Sequence, residues 1–274
     1  MKVLVTGANG QLGYDLCREI GGAAIGIDID DLDITDKSAT LEFIKRLQPD
    51  TIAHCAAYTS VDKAESEPEL CYTVNALGTG HIALAARSIG AKMLYLSTDY
   101  VFDGTLDRPY EVNDIANPLN VYGRTKLEGE KAIRNNIEKY FIIRTSWVFG
   151  TNGANFVKTM LKLGHERSQV SVVEDQVGSP SYTKDLARLI ASLIRTEKYG
   201  VYHATNEGFC SWYELACEIF RASKMDVAVT PIKAEEYPAA AVRPKNSRLS
   251  KQSLIESGFT LLPSWQEAVK DFLA

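Results

Sequence analysis

Short apolar runs rich in Val, Ile and Leu alternate with stretches of helical periodicity through the first 150 residues, and that alternation admits few folds. The segments Lys2–Thr6, Ala24–Asp28, Thr51–Ala56, Lys92–Ser97 and Tyr140–Thr145 read as strands. Gln11–Ile20, Lys37–Leu47, Glu69–Ile89 and Leu119–Asn135 read as helices. Strands separated by helices pair in parallel, and right-handed crossovers put the helices on both faces of the sheet. The expected fold is therefore α/β, a Rossmann-like doubly wound parallel sheet.

Beyond residue 150 the pattern loosens. Asn155–Leu163, Lys184–Arg195, Trp212–Ala222 and Trp265–Leu273 read as helices, with short strands at Gln169–Val173 and Val201–Ala204. Pro231, Pro238, Pro244 and Pro263 interrupt the rest. This divides the chain into a nucleotide-binding domain over residues 1–150 and a smaller, mainly substrate-binding lobe over 151–274. Some segments of that lobe are free to return to the first domain.

Composition narrows the partners. The net charge is −5 and no long basic run exists, which argues against nucleic acid. No run of about 18 apolar residues is present, so no membrane span is expected. The N-terminus enters a strand directly, without the layout of a secretory signal. The five cysteines form no CxxC pair, and the four histidines show no metal-ligand spacing. The expectation is a cytoplasmic protein with reduced cysteines and no metal, working as a monomer or homodimer on a small molecule.

The segment Gly7-Ala8-Asn9-Gly10-Gln11-Leu12-Gly13 follows the first strand and opens the first helix. Glycines there let the backbone approach a pyrophosphate, and the helix start offers free N–H groups and its positive dipole end. The spacing is GxxGxxG rather than GxGxxG, and a plain tight turn is the alternative. Asp28 ends the second strand about 20 residues on, where a carboxylate binds the adenosine ribose. It favours NADH, since a 2′-phosphate would meet its charge; a simple strand-end aspartate is the alternative. Asp33 and Ile34 are placed to flank the adenine. Ala56, Ala57, Tyr58 and Leu96 are placed to line the path to the nicotinamide.

Tyr122 and Lys126 form a YxxxK pair, and residues i and i+4 share one helix face. Ketone reduction needs a proton donor beside the hydride donor. A nearby ammonium is expected to lower the phenol's pKa towards neutrality, and the same lysine suits the nicotinamide ribose. Thr98 and Asp99 lie at the end of the fourth strand, where open parallel sheets bind ligands. A hydroxyl there can stabilise charge developing on a carbonyl oxygen.

Taken together, the segments VTGANGQLG (Val5–Gly13), AAYTSVDKAESEPE (Ala56–Glu69), STDYVFDG (Ser97–Gly104), PLNVYGRTKLEGE (Pro118–Glu130), RTSWVFG (Arg144–Gly150), NFVKTM (Asn155–Met160), DQVGSP (Asp175–Pro180) and RPKNSRL (Arg243–Leu249) resemble extended short-chain dehydrogenases over nearly the whole chain. Within them the chain is similar to the family of dTDP-4-dehydrorhamnose reductases. The resemblance implies that Thr98 replaces the usual catalytic serine, that Tyr122 donates the proton and that Lys126 supports it. It implies that Asp99, Trp147, Thr59 and Val61 lie near the sugar. Asn155, Gln176, Gly178 and Arg243 would face the diphosphate or thymidine end. The implied reaction is reduction of dTDP-4-dehydro-β-L-rhamnose to dTDP-β-L-rhamnose with NADPH or NADH. Tyr58 departs from the histidine common in that family. The carboxylates that link some relatives through a metal find no secure match.

Two other classes compete. A non-catalytic, cofactor-binding regulatory subunit would tolerate loss of Thr98, Tyr122 or Lys126, yet all three are present. Another sugar-nucleotide enzyme of the same fold, such as an epimerase or dehydratase, is the nearer alternative. A dehydratase places a second acid after Thr-Asp, where this chain has Tyr100.

Overall fold

The computed structural model describes residues 1–274. Its centre is a six-stranded sheet, parallel throughout. The first five strands are β1 (Val3–Thr6), β2 (Ala24–Ile27), β3 (Thr51–His54), β4 (Lys92–Thr98) and β5 (Tyr140–Thr145). Across the sheet they run β2-β1-β3-β4-β5, and Gly200–His203 closes the far edge beside β5. The chain starts at β1, steps outward to β2, then returns to the other side of β1 at β3. The crossovers therefore diverge between β1 and β3, which opens a crevice at the carboxyl ends of those two strands.

The strands read as continuous apolar runs because both faces of the sheet are covered. Val3 and Val5 point to one face, with Ala53, Leu94, Phe141 and Ile143. Leu12 and Leu16 of the first helix cover that face, beside Leu186, Ile190 and Leu193. Leu4 points to the other face with Ile52, Met93, Tyr95 and Ile142, beneath Ile44, Ile82, Ala86 and Ile133. Segments beyond residue 150 thus belong to this layer, among them the helix Thr183–Leu193, the strand Gly200–His203 and Leu254 of the short helix Gln252–Glu256. A separate core of Phe149, Val157, Val172, Ile219, Phe220, Trp265 and Val269 builds the smaller lobe. No helix is long and apolar enough to cross a membrane.

Two local departures from the sequence reading have identifiable causes. The single helix expected over Glu69–Ile89 is three pieces: Pro68–Tyr72, a wide π-type turn over Thr73–Gly78, and Thr79–Ile89. Just past the turn, the Thr79 hydroxyl donates back to the Asn75 carbonyl at 2.7 Å, supplying a bond the widened ladder loses. The strand Ala228–Ile232 was not expected because of Pro231; it pairs with Gln169–Val173 at a sheet edge, where proline is tolerated.

Candidate active site

The crevice is a cleft of about 850 Å³. At its β1 end, Gly7 takes a left-handed φ of 69°, and a Cβ on Gly13 would stand 2.1 Å from the Gly7 carbonyl oxygen. The helix Gln11–Ile20 therefore sits flush on the turn only because Gly13 has no side chain. No side chain caps that helix start and no acidic residue lies in its first turn. Its leading N–H groups and dipole face the cleft, an arrangement suited to phosphate. Asp28 lines the same end. Its carboxylate accepts from the backbone N–H of Asn9 and of Ile29, each at 2.9 Å, which pins the glycine turn to the end of β2.

At the β4 end, Thr98, Tyr122 and Lys126 line the same cleft. Thr98 is the last residue of its strand. Its hydroxyl donates to Asp99 Oδ1 at 2.9 Å and accepts from the Tyr100 N–H at 3.1 Å. The helix Val121–Asn136 carries Tyr122 and Lys126 and is capped by Asn120, whose Oδ1 accepts from the Gly123 N–H. Glu65 accepts from the Val121 N–H at 2.7 Å, fixing where the helix begins.

The electrostatics differ from the expectation at one point. Lys126 was expected to pull Tyr122 down, but burial, then the Asp99 charge, holds the phenol well above its ordinary range, opposed by a bond with Thr98. Lys126 is itself perturbed. Burial lowers its pKa to about 7, opposed by the Glu130 carboxylate, so its ammonium is only partly charged near neutral pH. Its Nζ rests over the Tyr95 ring, 4.1 Å from the centroid, and forms no ion pair. Tyr122 is thus held protonated. Burial also raises Asp99 to about 6, against bonds from Ser247 and Thr98, and its buried Oδ2 is left without a hydrogen-bond donor.

A buried frame behind these residues escaped the sequence reading. Glu130, one turn beyond Lys126, forms a two-pronged pair with Arg144 of β5: Nε to Oε1 at 2.9 Å and Nη2 to Oε2 at 2.8 Å. Ser97 donates to the same Oε1 at 2.6 Å. The helix Val121–Asn136 is thereby locked to the ends of β4 and β5. A lone arginine in the apolar run of β5 was the available signal. Asn75 is the second such group: its side chain bonds the Tyr58 backbone on both sides and donates to Thr125 Oγ1 at 3.1 Å. His54 is held between Thr6 and Thr79, and burial followed by the Lys126 charge lowers it to about 3, leaving it neutral.

Most expected site residues meet in the cleft: Gly7, Gly10, Gln11, Leu12, Gly13, Asp28, Asp33, Ile34, Ala56, Ala57, Leu96, Thr59, Val61, Asp99 and Trp147 join the three above. Five do not line it. Tyr58 turns away, its hydroxyl donating to Glu67 at 2.7 Å. Asn155 caps the helix Phe156–Glu166 through its Oδ1, while its Nδ2 donates to Gly150 O and Gln11 Oε1. Gln176 is buried nearby in the smaller lobe. Gly178 lies behind the Trp147 indole. Arg243 grips Asp62 with both prongs, at 3.0 and 2.6 Å. Trp212, which does line the cleft, was read from sequence only as a helix start.

Comparison with known proteins agrees with this geometry. The family model for the RmlD substrate-binding domain matches residues 1–274. The chain is 41% identical to the dTDP-4-dehydrorhamnose reductase of Salmonella typhimurium, covering all of this chain and 97% of that protein. It is 42% identical to the spore coat polysaccharide biosynthesis protein SpsK of Bacillus subtilis, covering 99% and 96%. The crystal structure of the Bacillus anthracis dTDP-4-dehydrorhamnose reductase in complex with NADP superposes with a TM-score of 0.97 at 46% identity, covering 100% and 99% of the two chains. With a glycine turn, a strand-end threonine and a tyrosine–lysine helix around one cleft, and full-length relatives of this kind, the chain belongs to the RmlD family of dTDP-4-dehydrorhamnose reductases.

Proposed function

We propose that this chain reduces dTDP-4-dehydro-β-L-rhamnose to dTDP-β-L-rhamnose with NADPH or NADH. The carrying observation is that the uncapped glycine-turn helix and the Thr98–Tyr122–Lys126 group open into one cleft. The residues present fit a nicotinamide dinucleotide. A buried lysine without an ion pair faces the cleft at one end, and a helix start without a side-chain cap faces it at the other. Gly7, Gly10, Gln11, Leu12 and Gly13 would hold the pyrophosphate, Asp28, Asp33 and Ile34 the adenosine, and Ala56, Ala57, Leu96 and Lys126 the nicotinamide end.

The bound cofactor supplies the hydride that reduces the sugar ketone. This chain's own groups manage the oxygen and its proton. Tyr122, held protonated by burial, gives its proton to the oxygen at C4. Thr98 hydrogen-bonds that oxygen by redirecting the proton it shares with Asp99. Lys126 needs a hydroxyl acceptor to relieve its burial, and a ribose provides one. Thr59, Val61, Asp99 and Trp147 would surround the deoxysugar. Gln176 and Arg243 would reach the nucleotide end, with Arg243 exchanging its Asp62 partner for a phosphate. Asn155 acts indirectly on this reading, by orienting Gln11. The same reading carries a cytoplasmic monomer or homodimer supplying a polysaccharide pathway.

The test is NAD(P)H oxidation, followed optically, with dTDP-4-dehydrorhamnose generated by upstream enzymes. Turnover to dTDP-rhamnose is expected. Absence of turnover with either cofactor, from protein that binds that cofactor, would sink the assignment.

A further inference from the structure

Trp147 is the first residue after β5 but one, and its backbone is in the left-handed region with φ of 48°. A bulky residue holds that conformation only when its surroundings impose it. Three contacts from the smaller lobe hold it. The Ser181 N–H donates to the Trp147 carbonyl at 3.2 Å. The indole edge lies so close to Gly178 that a Cβ there would stand 2.8 Å from Cε2 and 3.0 Å from Nε1. The indole face is stacked on Trp212, centroids 3.7 Å apart and planes 12° from parallel. Phe156 packs against Trp212 at 4.7 Å and 52°. Trp212 itself is fixed at the first position of a helix whose start is locked by the Ser211–Glu214 capping box.

We propose that Trp212 is a positioning residue for the sugar: it seats the Trp147 indole, so the smaller lobe determines where the apolar wall of the sugar subsite stands. This rests on the reductase reading, because it takes Trp147 to be that wall. Both indoles line the cleft, and neither is fully buried. The pair is thus a rigid aromatic plate supported from behind, and the deoxysugar's methyl-bearing face is the apolar surface that suits it. Without Trp212, Trp147 keeps an unfavourable backbone conformation but loses the flat support that fixes its ring. Binding of the sugar would suffer while the cofactor end, built at the ends of β1 to β4, would not.

The experiment compares Trp212→Leu, Trp212→Phe and Gly178→Ala with the unmodified full-length enzyme. Dissociation constants are measured for dTDP-β-L-rhamnose, for dTDP alone and for NADPH, and stacking is followed by the ultraviolet circular-dichroism couplet of the two indoles. The ratio of the dTDP to the dTDP-rhamnose constant isolates the sugar's contribution. Trp212→Leu should lower that ratio roughly threefold to tenfold and abolish the couplet, with NADPH affinity unchanged. Trp212→Phe should restore most of the ratio. Gly178→Ala, which displaces the indole without removing Trp212, should lower it too and guards against a folding artefact in the leucine variant. A lost couplet with an unchanged ratio overturns the proposal. An unmodified enzyme that binds dTDP-rhamnose no better than dTDP, and reduces no 4-keto sugar nucleotide, overturns the functional reading beneath it instead.

Discussion

Replacing Asp99 with asparagine isolates one electrostatic cost. Asp99 is 3% exposed, and its carboxyl titrates at about 6 in the folded protein against an ordinary 3.8. Burial is the first cause, so the charged form is the one the fold disfavours. The sign follows from proton counting. Between these two values the native state binds more protons than the unfolded chain, so this group makes stability fall as pH rises. A shift of about 2 units corresponds to roughly 3 kcal/mol at full ionisation. Between about pH 5 and about pH 8 the accessible part is roughly 1.4 kcal/mol. Asparagine preserves the acceptor for the Thr98 hydroxyl and cannot ionise. The difference in unfolding free energy, Asp99→Asn minus the unmodified protein, should therefore grow by about 1.4 kcal/mol from about pH 5 to about pH 8. Urea titrations of the cofactor-free protein at four or five pH values measure it. Taking the difference removes every group common to both proteins, including Lys126. A difference that stays flat across that range, or shrinks, would refute the claim that Asp99 is ionised at a cost.

Other substitutions separate chemistry from framework. Tyr122→Phe should cut kcat about a hundredfold to ten-thousandfold with the NADPH dissociation constant nearly unchanged; a loss below tenfold contradicts its role as proton donor. Glu130→Leu strands the Arg144 guanidinium, 3% exposed, and should destabilise by about 3–5 kcal/mol in urea unfolding, against less than about 1 kcal/mol if the pair is ornamental. Gly13→Ala must push back the Gly7 carbonyl and should cost about 1–3 kcal/mol of stability together with cofactor affinity; tight NADPH binding by this variant would contradict the turn's geometry. Asp28→Ala should shift the NADPH-to-NADH preference towards NADPH, and an unchanged ratio of kcat/KM values would remove Asp28 from the ribose.

The sheet was legible because its residues obey one rule over long stretches: strands buried on both faces cannot alternate, so Val3–Val5 and Met93–Tyr95 stand out as unbroken apolar runs. The cleft was legible for a related reason, since the glycine turn, Thr98 and the Tyr122–Lys126 pair are each local in sequence. What sequence concealed was long-range. The Glu130–Arg144 pair and the Trp147–Trp212 stack join residues on different elements, and no spacing announces them. The π-type turn at Thr73–Gly78 was hidden because Thr79 and Asn75 look like ordinary helix residues until a carbonyl is left without its usual donor. The effect of Lys126 on Tyr122 was misjudged because pairwise attraction was counted and shared desolvation was not.

The return of Gly200–His203 to the edge beside β5 has a consequence for how the molecule comes into being. The smaller lobe's first helix and strand are spliced into the chain before the sheet is finished, so the large layer cannot be completed from its own N-terminal portion. A nascent chain halted near residue 150 would display β5 with a bare rim and the Leu12–Leu16 face of the first helix uncovered, because Leu186 and Ile190 do not yet exist to cover it. Such a fragment should be sticky and short-lived, and the two lobes should be gained and lost together.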